Sequence, residues 1–196
     1  MPVEFLGIAA TSDGSEITAR SGASFDKDYT LRLARAHEEN GWDRVLFAYG
    51  SGSPDPNAAP AYIASKTSTL QLLLAHRPNV SYPTFAAKTF ATIDQISDGR
   101  VTVHFITGGT DHEQQREGDY LTHGERSGRN SNALAGTPET VAAAICDYID
   151  LGVDIISMRG YDLLGDAVDV GREVIPIVRE EVVRRDRAAD KGAVAS

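Results

Sequence analysis

Runs of strand length and mostly apolar character recur along this chain, and stretches of helical spacing separate them. VEFLGIAA (3–10), DRVLFAY (43–49), LQLLLAH (70–76), RVTVHFIT (100–107) and VDIISMR (153–159) are the five runs. Each is too short to be a helix and is bounded by Gly, Pro, Asn, Asp or Ser. Repeated strand–helix alternation predicts βα units and a parallel sheet, because parallel neighbours need a long crossover between them. Five such strands suit an open doubly wound sheet and are too few to close an eight-stranded barrel on their own. With 196 residues the chain is expected to form one domain.

The helices between these runs have readable ends. Tyr29, Leu33, Ala36 and Asn40 fall at helical spacing over 26–40, and Gly41 is a stop. AAPAYIASKTS is a small-residue helix. Thr84 is the expected cap of FAAKTFATIDQIS, whose Phe85, Ala86, Thr89, Phe90 and Ile93 make one apolar face, and Asp98-Gly99 ends it. Thr137-Pro138-Glu139 opens another helix: a hydroxyl for a free N–H, a proline at the first position, an acid at the positive end of the dipole. Val141, Ile145, Tyr148 and Ile149 are its expected buried stripe. A last helix is predicted from Asp162 towards Arg187, kinked at Pro176, with KGAVAS as a frayed tail.

The pattern breaks once. After the fourth run comes a long polar stretch, and SGRNSN inside it has no hydrophobic period at all. The organisation read from the chain is therefore residues 1–126 as four βα units, a junction at 127–133, a helix–strand–helix piece at 134–190, and a tail at 191–196.

Charge and cysteine narrow the partners. Net charge is -9 and the basic residues are scattered, which argues against a nucleic-acid binder. Cys146 is the sole cysteine, so the chain has neither an internal disulfide nor a thiolate cluster. Its apolar helical setting predicts a buried, inert thiol. No apolar run approaches a membrane span and no leader is evident, so a cytoplasmic location is expected and no membrane contact.

Candidate chemistry sits in the loops after the strands, where parallel α/β folds place ligands. Gly108 and Gly109 allow close backbone approach to a ligand or form a simple turn; GxGxxG and GxxxxGK[ST] are both absent. His104, between Val103 and Phe105, is either a buried, hydrogen-bonded histidine or the wall of a pocket. His112 and His123 lack metal-ligand spacing, and no metal site is assigned. Asp13, Asp55 and Asp111 read as turn residues as readily as acids. Tyr161 ends the fifth run and either packs there or donates to a developing anion, with Arg159 as a nearby fixed charge.

Four stretches, taken together, resemble the bacterial-luciferase-like, flavin-dependent monooxygenases, and within them the alkanesulfonate monooxygenase group. They are ENGWDRVLFAYGSGSPD, the long LLLAHRPNVSYPTFAAKTFATIDQISDGRVTVHFITGGTDHEQQREGDYLTHGER, LAGTPETVAAAICDYIDLGVDIISMRGYD, and VGREVIPIV. The resemblance runs from about residue 3 to 126 and from 134 to 186. It implies a TIM-barrel fold, here incomplete with about five βα units in place of eight. It also implies FMN, used as FMNH2 supplied by a separate flavin reductase, and O2, acting on an organosulfonate to release an aldehyde and sulfite. By the same resemblance Thr107, Gly108 and Gly109 and, in altered form, His104 contact the flavin, and Tyr161 is catalytic; Arg159, read from its place beside Tyr161 as a fixed charge, is expected to bind substrate. The sequence departs from the family where Asn usually stands at His104, where tyrosine usually stands at Ser127, and in GSGSPD, which lacks the sulfonate enzymes' cysteine. The match jumps from the loop after the fourth strand to the helix before the eighth, and SGRNSN marks the jump. A noncatalytic, internally deleted member that binds flavin weakly or pairs with another subunit is the alternative, and a homo-oligomer is left open.

Overall fold

The computed structural model describes residues 3–14, 19–50, 53–106, 136–150, 153–160 and 162–194. Its strands are β1 (Glu4–Ile8), β2 (Arg44–Phe47), β3 (Gln71–His76), β4 (Val101–Phe105) and β5 (Ile155–Ser157). Its helices are α1 (Lys27–Glu39), α2 (Ala58–Ala64), α3 (Pro83–Ile96), α4 (Pro138–Asp150), α5 (Leu163–Asp169) and α6 (Ile175–Val194). All five expected strands form, and they pair in parallel in the order β4-β3-β2-β1-β5.

That order alone suits both sheets the sequence allowed, and the packing of the helices decides between them. From β1 to β4 each strand is laid beside the last in one direction, and β5 returns to the far side of β1, where Glu4 aligns with Ile155 and Leu6 with Ser157. A doubly wound sheet that turns back at β1 carries its helices on both faces, whereas a barrel-type sheet carries them on one. The packing shows one face. In register, Gly7 lies beside Val45, Val45 beside Leu72 and Phe47 beside Leu74, so these positions share a face with Phe5. Phe5 packs with Ala142, Ile145 and Cys146 of α4 and Val178 of α6, while Val45, Phe47, Leu72 and Leu74 pack with Ala34, Ala59, Ile63 and Ile93 of α1, α2 and α3. Burying each large apolar side chain contributes about 1.5–3 kcal/mol, so the core lies between sheet and helices. The alternate residues turn to the other face, where Leu46 and Leu73 are half-buried and Thr102, His104, Ile155 and Ser157 are exposed. This is the layering of an incomplete, TIM-barrel-like fold, with one helical layer outside five parallel strands.

Helix ends follow local chemistry with some corrections. Asp26 caps α1 by accepting from the N–H of Asp28 and Tyr29, and Gly41 takes φ 79° just past the end. α3 starts at Pro83 rather than at Thr84, because proline at the first helical position sacrifices no ladder bond. Ala86 and Ile93 of its expected face are buried, but Phe85 is exposed. On α4 the buried set is Ala142, Ile145 and Cys146, and Tyr148 faces out. Both errors arise at the sheet edges, where the helix has no further strand beneath it. The kink expected at Pro176 is a π-helical turn over Val170–Val174 between α5 and α6. Proline cannot donate to the carbonyl one turn back, and a wider turn just ahead of it accommodates the lost bond. α6 continues to Val194, so the helix takes in part of the expected tail. The segments expected at 1–126 and 134–190 meet in one sheet through β1 and β5; the junction 127–133 lies outside the described residues.

Candidate functional site

The two ends of the sheet differ in how their polar groups are used. At the end where the strands begin, Arg100, Glu38 and Asp43 are spent on holding the chain. Arg100, just before β4, donates from Nε to Ser97 O (2.6 Å), from Nη1 to Leu70 O (2.8 Å) and from Nη2 to Ala64 O and Thr67 O (2.9 Å each). Glu38 Oε1 accepts the backbone N–H of Ser68, Thr69 and Leu70 at 2.7, 2.6 and 3.1 Å. Burial works against its charge, but those N–H donors prevail and hold its carboxyl below the ordinary value. Asp43 accepts from Phe5 N–H (2.7 Å) and from Arg179 (2.9 Å), which ties β1, β2 and α6 together. Saturated groups of this kind serve stability.

At the carboxyl end the strands deliver side chains with a different character. His104 stands exposed on the helix-free face beside Ala75, so the reading of it as a buried histidine is overturned. Its alternation with Val103 and Phe105, which share the helix side with Leu74 and His76, puts it there. Arg159, two residues past β5, is also exposed. Thr107, Gly108, Gly109 and Tyr161 lie outside the described residues. His104 and Arg159 belong to the two outermost strands, so the structure brings them to one end of the sheet without making them neighbours.

Three further groups escaped the sequence reading, Arg77 and His76 at this end and His37 beneath the sheet on α1. Arg77 is 2% exposed, and its guanidinium lies 4.6 Å over the Tyr49 ring, joining the ends of β3 and β2. The buried His76 ring meets Phe90 and Phe105 edge-on at 5.0 and 5.9 Å, and burial lowers its pKa. His37 is 3% exposed; its Nδ1–H donates to Leu33 O at 2.8 Å and burial pushes its pKa down to about 4, so the ring is neutral near pH 7. Its signal was present as a histidine four residues past Leu33 on a buried stripe. With Ile8, Trp42, Met158, Arg159 and Asp166 it lines a cavity of about 10 Å³. That holds a single water and no organic substrate. Burial, then the neighbouring Asp162 charge, raises the pKa of Asp166, whose carboxylate lies against Gly160, where a Cβ would come within 2.4 Å of Oδ2. The strand end carrying Arg159 thereby packs against α5.

Cys146 is buried, as expected, and burial pushes its thiol pKa up, which disfavours a nucleophilic thiolate. Among the described residues no group of three or more His, Cys, Asp or Glu could hold a metal, and no helix is long and apolar enough to cross a membrane.

Comparison with solved structures gives the same architecture. The EDTA monooxygenase EmoA from Chelativorans sp. BNC1 superposes with a TM-score of 0.52 at 12% identity, over 74% of this chain and 37% of that one. Monooxygenase RslO1 from Streptomyces bottropensis gives 0.50 at 26% identity over 59% and 36%. The oxygenating constituent of 3,6-diketocamphane monooxygenase from Pseudomonas putida, solved in complex with FMN, gives 0.51 at 20% identity over 60% and 33%. The chain thus spans little more than a third of the length of these structures. The family model for luciferase-like monooxygenases matches residues 3–131, well over half of the chain, and the chain belongs to that family.

Proposed function

We propose that this chain is a flavin-dependent monooxygenase that uses FMNH2 from a separate reductase and O2 to oxidise a small organic molecule. The class favoured by the sequence resemblance is an organosulfonate. The balanced reaction takes RCH2SO3⁻, O2 and FMNH2 to RCHO, sulfite, FMN, water and one proton: the C–S bond breaks, the carbon is oxidised, and two electrons come from the flavin. The observation that carries this reading is the division of labour across the sheet. Arg100, Glu38 and Asp43 at the strand beginnings hold the chain through hydrogen bonds, whereas His104 lies exposed on the helix-free face at the strand ends.

The residues present fit a flavin. Half-buried Leu46 and Leu73 and the small Ala75 give the helix-free face an apolar floor beside His104, which suits a flat aromatic ring. When bound, the flavin supplies the electrons and the oxygen activation. His104 would orient the ring through its imidazole. Arg159, next to the Gly160 that packs against Asp166 of α5, would pair with the sulfonate as a cation. Tyr161 is the proposed proton donor to the departing sulfite oxygens, with Thr107, Gly108 and Gly109 as backbone contacts to the cofactor.

Titration with oxidised FMN, and anaerobically with FMNH2, tests this reading by fluorescence and thermal shift. A native-state ligand raises Tm by mass action. Binding followed by sulfite release in the presence of a reductase is the expected result. No shift and no fluorescence change with either form defeats the reading and leaves the noncatalytic alternative.

A further inference from the structure

The geometry points to a partner for the sheet's two outer strands: a second copy of this chain, with β4 of each copy pairing in parallel with β5 of the other. Among the described residues β4 pairs only with β3, and β5 only with β1. Parallel strands are ordinarily buried on both sides, and an unpaired edge invites another strand. Several exposed large apolar side chains lie at these two edges. Phe105 on β4 is 67% exposed, with Phe85 and Ile96 on the adjoining α3 and Tyr82 just before it; at the other edge are Ile155 (46%) and, on α4, Tyr148 (53%).

What one edge lacks, the other carries. β4 turns Val103 and Phe105 to the helix side, with no described helix beyond α3 to cover them. β5 is preceded by α4, which already packs on that side through Ala142, Ile145 and Cys146 and turns Tyr148 outward. A copy docked through β5 therefore brings a helix to the bare flank of β4. Because all strands run parallel, a two-fold axis along their common direction keeps the new pairs parallel. β4 then meets β5 and β5 meets β4, a self-complementary closure. The two helix-free faces, with Leu46 and Leu73, are enclosed by the same step. The chain holds both halves of this junction, so no other partner is required. A net charge of -9 per copy opposes the approach, so added salt strengthens the dimer.

Light scattering on the purified chain at micromolar concentration should give twice the 21.0 kDa chain mass. Phe105→Lys and Ile155→Lys each place a charge on one edge and should each lower the mass to that of a monomer. Mixed together they retain one intact β4–β5 junction and should recover a two-chain species. If Ile155→Lys stays dimeric while Phe105→Lys does not, β4 meets β4 and the proposal falls. Should either variant fail to fold by circular dichroism, variants with one introduced cysteine each decide, the native Cys146 being buried. Thr102→Cys mixed with Ser157→Cys should form a crossed disulfide under mild oxidation, in preference to either self-linked product. A monomeric wild type, or one that associates only with a longer member of its family, overturns the proposal. A dimer that ignores FMN keeps this inference and removes the proposed activity; a monomer that binds FMN does the reverse.

Discussion

Gly7 of β1 and His37 of α1 share a space that leaves no room for a side chain at position 7. A Cβ built on Gly7 would lie 2.2 Å from His37 Nε2. The imidazole cannot swing aside freely, because its Nδ1 is bound to Leu33 O and its face meets Trp42 at 5.0 Å. Gly7→Ala is therefore expected to destabilise the fold by about 1–3 kcal/mol through overpacking, read from urea denaturation. Gly22→Ala is the control: nothing lies within 4 Å of its Cβ, and its change should stay within about 0.5 kcal/mol.

Acidification should weaken the fold through the same histidine. Burial holds His37 at about 4, against 6.5 for the free side chain. Between these values the unfolded chain binds a proton that the folded chain refuses, so stability rises with pH across this window and falls as pH drops from 6.5 towards 4. The contribution is on the order of 3 kcal/mol at one pKa unit per 1.36 kcal/mol. His37→Gln should flatten this part of the stability–pH curve relative to wild type, whatever it does to stability at pH 7. An unchanged slope would assign the acid sensitivity to other groups.

Arg100 should not tolerate lysine. Its guanidinium serves the carbonyls of Ser97, Leu70, Ala64 and Thr67 together, drawing three chain segments into the start of β4. An ammonium at the end of a flexible stem cannot reach all four in one plane. Arg100→Lys is expected to cost about 1.5–3 kcal/mol, the range for hydrogen bonds to a charged group, with a matching fall in Tm by calorimetry.

The strands were legible because each is a dense apolar run, and in the sheet's centre Val45, Leu72 and Leu74 are wholly buried. The helix faces were legible only where strands lie beneath them. Tyr148 and Phe85 obey the helical period yet stand exposed, since period gives a face but not what covers it. Strand order was not in the pattern at all: β5 beside β1 is a long-range choice that local spacing does not encode. Of the candidate residues, His104 and Arg159 were read as polar groups at strand ends, and the structure leaves both exposed there. His37, Arg77 and Asp166 were missed because their roles depend on partners far away in sequence, such as Gly7, Tyr49 and Gly160.

The positions of His104 and Arg159 on the two outermost strands predict that their effects separate. His104 adjoins the apolar floor around Ala75 and Leu73, so His104→Ala should weaken FMN binding about tenfold, near the 1.4 kcal/mol of one good hydrogen bond. Arg159 stands at the opposite edge and offers only charge, so Arg159→Ala should leave the FMN Kd within about twofold while abolishing protection of the bound state by an alkyl sulfonate. Fluorescence titration of FMN with and without the sulfonate reads both effects in one experiment. If Arg159→Ala weakens FMN as much as His104→Ala does, the guanidinium belongs to the cofactor phosphate and not to the substrate. Because Asp166 packs against Gly160 beside it, Asp166→Ala should reproduce the Arg159 effect in weaker form, and an effect on FMN alone would reject that positioning role.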